Sequence, residues 1–149
     1  MKKAIIFLML PGVLVIALAA LAQISRPTPP DPVKVPTVSY PALPLGSRIS
    51  GVVQTTLTVE QGKVIKTTNL KSAHDLLTIY ANQYAKAWEF PPDFSGEYEA
   101  SFVFILEEGL APGSQEAPKQ RSFFTGDPAR MLVVISEIPP IRNNATSRK

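Results

Sequence analysis

Seven prolines fall between Pro27 and Pro44. At that density neither a helix nor a central strand forms, because each ring fixes φ and removes a backbone donor. The stretch is expected to run extended as polyproline II, and 18 residues at ~3.1 Å each reach roughly 56 Å. Any compact domain must then lie after it, and a chain of 149 residues leaves room for one such domain of ordinary size.

Ahead of the prolines, Met1-Lys2-Lys3 is a positive start, and Ala4 to Ala22 carries no charge. The run ends Ala20-Leu21-Ala22, small at both cleavage positions, before Gln23. This is the pattern of an export signal cut between Ala22 and Gln23. A retained signal anchor is the rival, since 19 apolar residues just cross a bilayer core. Either way the remainder is expected outside the cytoplasm, in the periplasm or cell envelope, with inner-membrane attachment if the segment is uncut.

Composition excludes several chemistries. With no cysteine, disulfides, thiolate zinc sites, thiol nucleophiles and a lipid-anchored N-terminal Cys are ruled out. A single His, His74, builds no metal cage, and in a first helical turn it reads as exposed or as a local hydrogen bonder. A net charge of +3 is too weak for a nucleic-acid partner held by counterion release. There is no GxSxG, P-loop, GxGxxG or HExxH. No catalytic residue, metal or cofactor is assigned, and the chain reads as a binding protein rather than an enzyme.

From Gly46 the hydrophobic pattern becomes regular. Gly51, Val53, Thr55, Leu57 and Val59 share one parity, as a half-buried strand requires. Gln61-Gly62-Lys63 is a turn, and Val64 to Leu70 returns as the second strand of a hairpin. Ser72 is the expected cap of a helix whose apolar stripe is Ala73, Leu76, Leu77, Tyr80, Ala81 and Tyr84. Trp88 closes it, and Pro91-Pro92 stops it. Gly96 opens a third strand with Tyr98, Ala100, Phe102, Phe104 and Leu106 on one face, expected to pack in the core, and Glu97 and Glu99 on the other, facing solvent. Met131 to Ile135 is a candidate fourth strand. The predicted class is α+β, a two-layer sandwich of order β-β-α-β(-β), with a small antiparallel sheet and one packed helix. The predicted divisions are a signal or anchor at 1–22, a proline-rich linker at 23–45, the domain at 46–107, a flexible loop at 108–128, an extra strand at 129–138 and a disordered tail at 139–149. The core is small, so a partner or a homodimer is an expected contributor to its stability.

Tyr40-Pro41-Ala42, then Arg48-Ile49-Ser50-Gly51-Val52-Val53, Gly62-Lys63-Val64, Trp88-Glu89-Phe90-Pro91-Pro92 and the strand Gly96 to Leu106 resemble, in that order, the C-terminal domain of TonB-type energy transducers. The resemblance covers about residues 38–107. It implies a periplasmic domain that grips an extended segment of an outer-membrane receptor, or of another envelope protein, by strand addition. It implies that Gly96, Tyr98, Ala100, Phe102, Phe104 and Leu106 form the partner-binding edge strand, with Trp88, Phe90, Pro91, Gly51 and Gly62 as structural motif positions. Two departures limit the transfer. Met1–Ala22 has neither the His nor the Ser with which the family's membrane helix couples to its motor, and the stalk is short for crossing the periplasm. Energy-dependent transport is thus carried over less fully than the fold. The alternative is a structural or scaffolding envelope protein with no transduction role. Met131–Ile135 has two readings: a fixed fourth strand, which is preferred, or a cover over the Gly96–Leu106 edge that a partner displaces.

Overall fold

The computed structural model describes residues 28–109 and 116–139. Strand β1 spans Gly51–Glu60 and buries Val53, Thr55, Leu57 and Val59 on one face. The buried Thr55 hydroxyl donates to the Thr68 carbonyl at 3.0 Å, so its polarity is satisfied. Gln61 and Gly62 turn the chain with φ of 48° and 77°, the left-handed pair that suits the twist of a two-residue hairpin. Gly62 has a second reason to be glycine: a Cβ there would lie 2.6 Å from the Phe90 carbonyl oxygen.

Strand β2, Lys63–Ser72, pairs antiparallel with β1 and is almost wholly exposed. Helix α2, counted after a short helix α1 at Ala42–Gly46, spans Asp75–Lys86. Its cap is His74, whose Nδ1 accepts from the Leu76 amide at 3.1 Å. Ser72, the expected cap, is held in β2 opposite Val53 and takes the Thr78 hydroxyl instead. The helix buries Leu77, Ala81 and Ala85; two alanines bring its axis close to the sheet.

Three further strands follow: β3 at Gly96–Glu108, β4 at Gln120–Thr125 and β5 at Met131–Ile138. The sheet order is β2-β1-β3-β5-β4. All neighbours are antiparallel except β3 and β5, which run parallel. The predicted α+β sandwich is therefore present, one helix on one face of a sheet, but the sheet is mixed. The core lies between that face and α2. Trp88, 1% exposed, sits at its centre with ring centroids 5.4 Å from Phe102 and 5.2 Å from Phe124. Burying side chains of this size contributes roughly 1.5–3 kcal/mol each.

Two predicted boundaries need correction. The linker drawn to residue 45 is part of the domain where it is described. Tyr40 is buried, stands edge-on to Phe104 and gives its hydroxyl to the Ile49 carbonyl, while Val35 and Val38 pack on the core. Prolines forbid a ladder, yet they leave valines and a tyrosine free to fill the core from an extended backbone. The loop drawn at 108–128 contains β4, whose Phe124 packs on Trp88. The positions assigned to the export signal, Ala22 and Gln23, and residues 140–149 of the expected tail lie outside the described residues. Among the described residues no helix is long and apolar enough to cross a membrane.

Candidate partner-binding border

The strand expected to offer its edge is the middle strand of the sheet. One side of β3 pairs with β1 from Gly96 to Phe104, and the other with β5 from Ser101 to Glu108. The edge assignment for Phe102, Phe104 and Leu106 is thus corrected: parallel β5 takes up their side of β3. The reason is packing. Leu132 and Val134 of β5 are 1% and 0% exposed and complete the core beside Phe102 and Phe104, so the sheet does not end at β3. The side chains of Tyr98, Ala100, Phe102 and Phe104 are all buried towards α2, with Leu106 half-buried.

The seal is incomplete. β5 begins opposite Ser101, so Gly96 to Ala100 has a strand on one side only. The Ser101 amide donates to the Arg130 carbonyl at 3.0 Å. Amides alternate sides along a strand, so Glu97 and Glu99 turn their N–H and C=O towards the same side, where no main-chain partner stands among the described residues. The ladder with β5 starts at Met131, directly after Arg130, whose φ is 45°. Residues 128–130 stand beside Glu99 and Ala100 without joining the ladder. A cleft of about 240 Å³ crosses the site, lined by Gln54, Leu70, Glu99, Ser101, Pro128 and Arg130.

Side-chain contacts hold this end of β3. Tyr98 donates to Asp31 Oδ1 at 2.7 Å, and Asp31 Oδ2 accepts the Asp127 amide at 3.0 Å. The Arg130 guanidinium bonds Asp127 Oδ1 at 2.8 Å and lies 5.0 Å above the Tyr98 ring centroid. Burial first, then the Asp31 carboxylate, raise the Tyr98 phenol far above its usual range. It stays protonated and donating.

The Trp88-to-Pro91 corner is braced from two sides. The Phe90 amide donates to the Gly62 carbonyl at 2.9 Å, and the Glu89 amide to the Lys34 carbonyl at 3.0 Å. The Glu89 carboxylate contacts Lys34 and Lys63, which hold it below the usual carboxylate range. Gly51 sits where a Cβ would strike Ala73. The motif positions therefore act as a joint between hairpin, stalk and helix. Sequence reasoning missed Asp31 and Arg130. Neither lies in a periodic segment, and only the fold brings positions 31, 98 and 130 together.

Among the described residues no group of three His, Asp or Glu side chains stands close enough to hold a metal ion. Compared with protein-family models, curated proteins and solved structures, the chain matches none.

Proposed function

We propose that this chain is an exported protein-interaction domain that takes a short extended segment of an envelope partner by strand addition beside Gly96–Ala100. The observation that supports it is that β3 outruns β5 at its N-terminal end, leaving the main chains of Glu97 and Glu99 without a strand on that side, with a cleft beside Glu99. Four main-chain bonds at about 1 kcal/mol each reach only the millimolar range. Side chains seated in the cleft must add the rest, which is how such sites gain selectivity. An outer-membrane receptor is the partner that the TonB resemblance suggests, and energy-dependent transport is its extension. The sealing of β3 from Ser101 onward favours a second reading, a scaffolding envelope domain without a receptor.

The test is affinity capture from solubilised envelopes with the wild-type chain and with Glu99→Pro. Proline there deletes an outward amide and leaves the β1 ladder intact. Receptor recovery that Glu99→Pro abolishes supports the proposal. Recovery of cell-wall or scaffold proteins supports the second reading. Capture that is indifferent to Glu99→Pro would remove β3 from the binding site.

A further inference from the structure

The sheet face turned away from α2 carries its charges in a pattern. β1 lies between β2 and β3. On this face it presents Val52, Gln54, Thr56 and Thr58 ahead of its last residue, all uncharged. Register places Lys71 beside Gln54 and Lys66 beside Thr58 on the β2 side. It places Glu99 beside Thr56 and Glu97 beside Thr58 on the β3 side. Cations and carboxylates thus line opposite sides of a neutral strand. Two strand spacings hold the rows roughly 10 Å apart. Neither Lys71 nor Glu99 has an ion-pair partner among the described residues.

Two depressions lie along the diagonal from Lys71 to Glu99, and both are lined by Gln54. One, of about 400 Å³, is formed by Val52, Ala73, Ser72 and Lys71 on one side of Gln54. The other is the cleft of about 240 Å³, where Leu70, Ser101, Glu99 and Pro128 surround its other side. Leu70 is the extra residue of a bulge in β2. A bulge re-aims a side chain, and this one supplies the cleft with an apolar wall. The Gln54 amide and the Ser101 hydroxyl between them can each donate and accept. The groove therefore has apolar walls, a neutral polar floor, and an unpaired charge of opposite sign at each end.

We infer that this groove binds a free tripeptide lying across β1, with its N-terminal ammonium at Glu99 and its C-terminal carboxylate at Lys71. The length follows from the lattice of the sheet. Lys71 and Glu99 stand two strands apart and two residues apart along the strand, a separation of about 12 Å. An extended peptide spans ~3.3–3.6 Å per residue, so three residues bring both termini within reach of the two side chains. A single amino acid touches only one of them. Gln54 and Ser101 then face the peptide groups of the ligand. Its C-terminal side chain falls beside Val52 and Ala73, which favours an apolar residue there. Blocking either terminus leaves one protein charge without its partner, so an internal stretch of a protein chain fits the groove less well. The site is separate from strand addition, which uses the main chain of Glu99 at the border and not its side chain above the sheet face.

Titration calorimetry of the full chain with the peptide Ala-Ala-Leu, its N-acetylated form and its C-terminal amide tests the assignment. Ala-Ala-Leu is expected to bind saturably, and each blocked form about two- to fivefold more weakly, as the loss of one exposed ion pair implies. Ala-Ala-Gly, which leaves the apolar recess empty, should also bind more weakly. Glu99→Gln should bind the free and N-acetylated peptides alike and still discriminate against the amide. Lys71→Met should show the reverse. Glu99→Gln keeps the outward amide that strand addition requires and should leave capture of an envelope partner intact, so the two readings fail separately. No saturable binding of Ala-Ala-Leu, equal affinity for the blocked forms or for Ala-Ala-Gly, or a preference for free termini that survives both Glu99→Gln and Lys71→Met each overturns the inference.

Discussion

Tyr98 and Asp31 are 67 positions apart in the chain, yet the phenol donates to the carboxylate across 2.7 Å. One partner belongs to the buried face of β3, the other to the proline-rich segment. This bond fastens the stalk to the domain beside the open stretch of β3. Asp31→Ala is expected to leave the phenol unsatisfied and to cost about 1.5–3 kcal/mol, the range for a charged hydrogen bond. Urea denaturation measures the loss. Faster limited proteolysis after Lys34 would show that the stalk has come away, and unchanged cleavage would mean that Asp31 is not the fastener.

Stability should fall at alkaline pH. Burial raises the Tyr40 phenol to about 12, and burial together with nearby Tyr80 raises Tyr84 to about 12. The folded chain then keeps protons that the unfolded chain releases near pH 10. The contribution is complete below about pH 10 and is lost as pH rises towards 12, at up to about 1.4 kcal/mol per unit for a buried tyrosine such as Tyr40. Denaturation midpoints at pH 8, 10, 11 and 12 check this, with Tyr40→Phe giving a shallower decline.

Trp88 fills the centre of the core, so Trp88→Ala should cost about 3–5 kcal/mol. Its buried Nε1 has no partner among the described residues. Trp88→Phe removes that unsatisfied donor and should cost clearly less than the alanine change. Calorimetric melting of the two variants gives the comparison, and equal losses would contradict the packing described.

Gly62→Ala meets two obstacles at once, a φ of 77° and the Phe90 carbonyl 2.6 Å from the new Cβ. A loss of about 1–3 kcal/mol is expected, with the Phe90-to-Gly62 hydrogen bond disturbed first. Accelerated exchange of the Phe90 amide, ahead of the strand amides, is the signature to look for.

β5 is expected to behave as a fixed strand and not as a removable cover. Leu132→Ala should cost about 2–5 kcal/mol, and β5 amides should exchange as slowly as those of β1. Exchange through a low-energy local opening of β5 would instead reinstate a displaceable cover.

Local pattern made much of this legible. The parity of Val53, Leu57 and Val59 marked β1, and the stripe of Leu77 and Ala81 marked α2, because each element buries one face and its period survives in the sequence. β4 escaped notice because Phe123 and Phe124 are adjacent and sit between Gly- and Pro-containing stretches, so six residues show no run of one period. Tyr40 was assigned to a linker because its proline-rich surroundings speak for extended backbone, and extended backbone can still pack.

The sequence by itself determined the hairpin, the helix, the aromatic strand and the rigid turn at Trp88-to-Pro91. These depend on neighbours a few positions apart, whose side-chain directions follow from backbone geometry alone. Which side of β3 stays open, which strands end the sheet, and the meeting of Asp31, Tyr98 and Arg130 were decided only in the tertiary structure. Strand order is a long-range choice: β5 lies beside β3 because Leu132 and Val134 fill the space next to Phe102 and Phe104. No periodicity in either segment records that fit.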